Sequence, residues 1–447
     1  MTRTATRRSE TKRTTASRTR RALLALAIMT PVAVSACGND DDASGTPTLT
    51  WYINPDNGGQ AELAKKCGDA SDGAFKIETQ ILPNETDQQR EQLVRRLAAN
   101  DPSVDLMSLD PPFVAEFANA GYLLPVTDPA DVELFNDGVL EAPLEYATWN
   151  GQLVAPVFWA NTQLLWYRKS VAAAAGVDPT SPDFTWQEMI KAAEKEGKRI
   201  GVQGRRYEGY MVWINALIRS AGGQIIEHPE LGADATPTVA SQAGNLAADI
   251  VGELARSSAA PADLATAGEE ESRSVFQGDD GSFMVNWPYV YKAAEDGVAD
   301  GSLDQSVLDD IAWARYPAVE SGTPSLPPLG GINLGMGAFT KHPDEALAAA
   351  KCITSLQSNI EYMIKSGNPA ARSAAYDDPK VREAFPMADL IRDSINSGGA
   401  RPVTPYYGDV SVSVQRTWHP SEGVDQPGTP DETDVYMEQV LQGERLL

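Results

Sequence analysis

Residues 282–291 read SFMVNWPYVY. An apolar, strand-forming run at 283–285 stops at Asn286-Trp287-Pro288. Pro288 has no N–H for a sheet ladder and steers Trp287 away from helical backbone. The chain therefore leaves a sheet where it presents an indole and, two residues later, the phenol of Tyr289. Large rings at the mouth of a strand either cap a core or line a cleft. The rest of the chain decides between them.

Upstream, strand and helix alternate. TLTWYI (48–53) reads as a strand, and Gly58-Gly59 opens an amphipathic helix with Leu63 and Ala64 inward. FKIETQIL (75–82) is a second strand. Residues 85–99 form a helix with Leu93 and Leu97 on one face and Arg90, Arg95 and Arg96 outward. VDLMSL (104–109) is a third strand, and residues 112–120 a short helix stopped by Gly121. This order predicts an α/β fold with a parallel sheet and ligands at the carboxyl ends of its strands. Residues 153–167, broken by Pro156, read as a strand crossing into a second lobe. Helices follow at 186–196, 210–221, 239–256 and 269–277. A return crossing is expected at PSLPP (324–328). Helices at 343–356, 380–396, 411–418 and 431–441 complete the chain.

The full sequence of 447 residues is too long for one ordinary core. Its net charge is −25; residues 1–36 hold eight Lys or Arg against one Glu, so the remainder carries −32. A folded body this acidic does not bind nucleic acid or anionic lipid, which need a basic face. An uncharged or weakly charged ligand is expected. The basic stretch ends at Arg21, an apolar run covers 22–34, and VSAC closes it at Cys37. Small residues before a cysteine resemble the lipobox of bacterial lipoproteins. Residues 1–36 are thus expected to be a signal peptide, Cys37 the acylated N-terminus, and residues 37–47 a polar tether. The body would sit on the outer face of the cytoplasmic membrane, attached through that lipid alone. In an oxidising compartment Cys67 and Cys352 are expected to form a disulfide, although nothing in the sequence shows that they meet. No His/Cys cluster has metal-ligand spacing, so neither a metal nor a cofactor is expected.

Several stretches, in order, resemble one family: the sugar-binding lipoproteins of ABC importers, which include maltose-binding protein. They are LMSLDPPFVAEFANAGYLLPV (106–126), APVFWANTQLLWYRK (155–169), FTWQEMIKAA (184–193), FQGDDGSFMVNWPYV (276–290), LGGINLGM (329–336), GNPAARSAAYDDP (367–379) and ARPVTPYYGDVS (400–411). Within that family the lipobox, the Gly330-Gly331 pair and ARPVTPYY look most like the trehalose-binding lipoproteins of mycobacteria and their relatives. The resemblance implies a two-lobed periplasmic-binding-protein fold of type II, with the ligand between lobes joined by crossing strands. Lobe I would comprise 48–156 plus 327–380, and lobe II 157–326 plus 381–447. It implies a monomer that captures a disaccharide, trehalose first, and delivers it to a permease driven by a separate ATPase.

The residues then take roles. A pyranose has an apolar C–H face, and burying an aromatic ring against it contributes about 2–3 kcal/mol. Trp287 and Tyr289 are the expected stacking surfaces. Asp110 either caps the helix that follows or accepts sugar hydroxyls through charge-assisted bonds. Asn161 both donates and accepts, which suits a hydroxyl pair, or else it holds a hinge turn. Gly331 would let backbone approach the ligand; related proteins often place an aromatic next, where this chain has Ile332. Arg401 would hold ring and glycosidic oxygens or orient Asp110. Of Glu269, Glu270 and Glu271, Glu269 is expected in the cleft, since it shares a helix face with Phe276. Of Asn54, Asp56 and Asn57, at the end of the first strand, Asn57 is the choice.

The same residues suit other classes of protein. Carboxylates facing a sugar are also a glycosidase's equipment. No nucleophile motif or phosphate loop supports catalysis, so no catalytic residue is assigned. A maltose-type oligosaccharide or a glycerophosphodiester could occupy the same scaffold. A purely structural envelope protein would show no sugar response.

Overall fold

The computed structural model describes residues 45–446. Cys37, the expected signal peptide and most of the expected tether lie outside these residues. Among the described residues, nine strands longer than two residues build two sheets. In the first, β1 (Thr48–Ile53) is flanked by β2 (Lys76–Ile81) and β3 (Leu106–Leu109), all parallel. The β-branched and aromatic residues of β1 suit a pleated surface buried on both faces. Beyond β3 lie β9 (Leu329–Met336) and β4 (Val157–Thr162), each antiparallel to its neighbour. The second sheet has the order β8 (Ile311–Ala314), β5 (Leu164–Arg168), β7 (Gly281–Asn286), β6 (Arg199–Gly201). The expected wholly parallel sheet is therefore mixed. The strand that returns from the second sheet enters the first in the opposite sense.

The first crossing also differs from expectation. Pro156 does not end the first lobe's strand. Its carbonyl accepts from Leu334 N–H at 2.8 Å, and β4 continues in register with β9 to Thr162. The chain changes sheets at Gln163, not at 156. That side chain is buried and donates to Gln203, which donates to the Val285 carbonyl of β7. The last passage between lobes differs as well. The helix Ala388–Asn396 packs on β4, so residues 381–396 stand with the first sheet rather than the second.

Helices cover both sheets. In α1 (Gly59–Asp69), Leu63, Ala64 and Cys67 face inward. Cys67 forms a disulfide with Cys352 of the helix Pro343–Ile353, with Cα atoms 5.8 Å apart. A disulfide of this kind typically contributes about 2–4 kcal/mol of stability, mainly by constraining the unfolded chain. In α2 (Thr86–Ala98), Leu93 and Leu97 are buried as expected. Arg90 is not outward: it pairs with Glu116 at 2.5 Å and lies over the Phe113 ring. On the second sheet's side, α3 (Glu208–Ser220) is buried on nearly every face. No helix among the described residues is long and apolar enough to cross a membrane.

Candidate functional site

A cavity of about 790 Å³ opens between the two sheets, at the ends of β1, β3, β4, β7 and β9. Asn57, Asp110, Asn161, Glu269, Trp287, Tyr289, Gly331 and Arg401 all line it. Their surroundings differ from residue to residue.

Trp287 follows β7 directly. Its N–H bonds the Asn286 side chain at 2.8 Å, and Asn286 in turn donates to the Glu269 carbonyl at 3.0 Å. This turn aims the indole away from the sheet. Trp287 is half-buried and belongs to neither hydrophobic core, unlike Trp186 or Trp166. Tyr289 begins the next helix and is more constrained. Its hydroxyl donates to Glu270 at 2.5 Å, and its ring edges the first core.

Asp110 makes no side-chain cap bond to the turn that follows. Its Oδ1 instead accepts from Arg401 Nη2 at 2.8 Å. Arg401 is 2% exposed, so it orients Asp110 rather than reaching far into the cavity. Its Nη1 donates to Glu208, the first residue of α3, at 2.5 Å. Burial pushes the Asp110 carboxyl up against the opposing pull of Arg401. Burial also pushes Glu208 up to about 7.

The Asn161 side-chain oxygen accepts from Thr162 N–H at 3.0 Å, and its amide nitrogen has no partner among the described residues. Asn57 lies at the exposed rim and donates to the Lys365 carbonyl at 2.8 Å. Asp56 accepts from Gly58 and Gln60 N–H and so starts α1. Asn54 is the deepest of the three, with its Oδ1 buried and unpaired.

Gly331 has a packing role. A methyl there would lie 2.3 Å from the Trp159 carbonyl, and its φ is +119°. Close approach of β9 to β4, next to the register shift at Ile332 and Asn333, already requires the glycine. Gly330 has the open role: its absent side chain leaves room for the Trp287 ring.

Among the three neighbouring acids, Glu270 is occupied by Arg273 and Tyr289, and Glu271 accepts from Gly268 N–H at 2.9 Å. Glu269 lies beside the buried Tyr207 hydroxyl without a well-aligned bond to it, and burial raises its pKa. The sequence reading did not find Tyr207, Glu208, Arg205 or Glu85. Arg205 lies over the Tyr207 ring at 4.3 Å and pairs with Glu85 across the cavity at 3.0 Å. Four buried polar atoms of lining residues lack partners: Asn54 Oδ1, Trp159 Nε1, Tyr207 OH and Arg401 Nε. Each unmade bond costs about 1–3 kcal/mol. Among the described residues no group of His, Cys, Asp or Glu could hold a metal ion.

Two α/β lobes, crossing strands and a polar cavity with an unpacked indole define a solute-binding protein of the periplasmic type. The chain belongs to the bacterial extracellular solute-binding protein family, whose sequence model matches residues 69–359. A probable ABC transporter-binding protein of Deinococcus radiodurans is 31% identical over 267 residues, 58% of this chain and 60% of that one. A probable amino-acid ABC transporter periplasmic-binding protein of Sinorhizobium fredii is 24% identical over 323 residues, 66% of this chain and 70% of that one. These relatives are named as binding proteins of transporters, not as enzymes. Among solved structures, maltose-bound MalE3 of T. maritima superimposes with a TM-score of 0.76 at 24% identity, covering 90% of this chain and all of that one. The GacH receptor of Streptomyces glaucescens gives 0.72 at 21%, with the same coverage. At these identities the likeness concerns the fold.

Proposed function

We propose that the protein captures an uncharged disaccharide between its lobes and delivers it to the permease and ATPase of an ABC importer. Trehalose is the first candidate. The protein acts as a monomer on the outer face of the cytoplasmic membrane, held by an acylated Cys37. The observation that carries the reading is Trp287: an indole at the cavity wall, packed in neither core, is suited to the C–H face of a pyranose. Asp110 and Asn161 would receive its hydroxyls. Lobe closure follows if the ligand binds the closed arrangement better than the open one.

The charges support a neutral ligand. The lining residues include eight carboxylates and three cations. Arg401 is paired with Asp110 and Glu208, Arg205 with Glu85, and Lys292 with Asp296. A glycerophosphodiester would meet no unpaired cation among the described lining residues. A maltose-type oligosaccharide shares the sugar chemistry, and solved structures of this fold include proteins bound to maltose and to acarbose.

Calorimetry against trehalose, maltose, sucrose and a glycerophosphodiester tests the reading. Trehalose is expected to bind tightest, with a change in tryptophan fluorescence and no glucose released. Preference for the glycerophosphodiester would remove sugar uptake from consideration.

A further inference from the structure

Arg401 lies between carboxylates that reach it from opposite lobes. Asp110 follows β3 of the first sheet, and Glu208 opens α3 beside the second. The two acids take different nitrogens of one guanidinium, at 2.8 and 2.5 Å. Glu208 is itself gripped by the helix α4 (Tyr407–Trp418): Tyr407 donates to Oε1 and Ser411 to Oε2, the latter at 2.6 Å. Gln415 donates to Ser411 at 2.9 Å, and the Tyr146 hydroxyl accepts from Arg401 N–H at 2.6 Å. A guanidinium held at one nitrogen can swing about its Cδ–Nε bond. Held at both, it presents one fixed fork. The second oxygen of Asp110 makes no hydrogen bond among the described residues.

We infer that Glu208 is the positioning residue of this site: it locks the Arg401 fork from behind, and the fork in turn fixes Asp110 so that its free oxygen faces the ligand. The inference rests on the reading of the cavity as the sugar site. Glu208 lines the cavity, but its oxygens are committed to Arg401, Tyr407 and Ser411, so it acts through Arg401. The charged and titratable groups that face it are Arg401, Tyr407, Asp110 and, from α2, Asp87. Burial, Asp87 and Asp110 all favour its protonated form, and Arg401 and Ser411 oppose them. Protonation removes the charge that holds Nη1, so the fork loosens as pH falls through neutrality. No histidine is among the lining residues to titrate in that range.

The test compares the wild type with Glu208→Gln, which keeps the shape, removes the charge and leaves Arg401 and Asp110 as a neutral pair. In the ligand-free protein, the Arg401 Nε–H resonance is expected to shift with a midpoint near pH 7 in the wild type and to lack that shift in the variant. Calorimetry with trehalose is expected to show wild-type affinity weakening about tenfold as pH falls from about 8.5 to about 6, while the variant lacks this inflection and keeps the weak value throughout. Glu208→Asp, which keeps the charge but withdraws it by one methylene, is expected to bind more weakly yet retain the pH dependence. A Glu208→Gln protein with wild-type affinity and pH profile overturns the inference, as does an Arg401 resonance that ignores the titration. Should the wild type bind no trehalose at any pH, the choice of trehalose fails instead, and the resonance alone decides the role of Glu208.

Discussion

Gly330 of the first sheet lies directly under the ring of Trp287 from the second: a methyl on Gly330 would stand 3.0 Å from two indole carbons. The indole therefore meets the opposite lobe's backbone with one edge of its six-membered ring. Gly330 has no positive φ, so alanine fits its backbone, and the substitution acts through the ring. Gly330→Ala is expected to weaken disaccharide binding about three- to tenfold while the unfolding midpoint moves by no more than about 3 °C. Calorimetry and thermal unfolding measure both. Unchanged affinity would separate the ring's position from binding.

Trp287 and Trp186 should respond oppositely to truncation. Trp186 is fully buried, 5.7 Å from both Trp213 and Tyr316. Its replacement by alanine is expected to cost about 3–5 kcal/mol of stability through the cavity it leaves. Trp287→Ala is expected to cost under about 1 kcal/mol of stability, and about 1.5–3 kcal/mol of binding, or tenfold or more in Kd. Denaturant unfolding and calorimetry on the two variants give all four values. A large stability loss at Trp287 would make it a core residue.

The sequence revealed the site more readily than the frame that holds it. Asp110, Trp287 and Gly331 are marked locally, because prolines and glycines announce where strands end and side chains turn into a cleft. Arg205, Tyr207 and Glu208 carry no such mark. They read as a polar loop before a helix, and Glu208 meets Arg401 across 193 residues of sequence. Gly331 was legible as a position, but its packing role was not, since the strand it crowds, β4, lies far back in the chain. Pro156 misled for a related reason. A proline forfeits only its N–H, and its carbonyl still joins the ladder to Leu334. Which strand donates that bond is a tertiary fact that local pattern does not encode.

Glu85 and Arg205 join the two sides of the cavity at 3.0 Å, with side chains 35% and 38% exposed. A pair this open to water contributes only about 0.2–1 kcal/mol. Placed between lobes, that contribution should favour the arrangement in which they meet. Glu85→Gln is expected to speed ligand release by up to about fivefold at low salt, with the difference fading near about 0.5 M as screening removes the pair in the wild type too. Stopped-flow tryptophan fluorescence follows the release. A rate difference that ignores salt would mean Glu85 acts by shape and not by charge.

The acid that positions Arg401 should also lower the protein's stability. The Glu208 pKa rises from an ordinary 4.5 to about 7 on folding, chiefly through burial. The folded state therefore holds more protons than the unfolded state between those values, and stability declines as pH rises across that window. Glutamine at 208 does not titrate and avoids burying the charge. The stability of Glu208→Gln relative to wild type is thus expected to climb from about pH 4.5 to about pH 7 and to level off above it. Arg401 keeps Asp110 as a partner in the variant, so no uncompensated buried cation offsets the gain. Denaturant unfolding of both proteins at several pH values measures the difference. A difference that shrinks with rising pH would mean that ion pairing with Arg401 outweighs desolvation. Glu208 would then stabilise the fold, with no cost for its place at the site to offset.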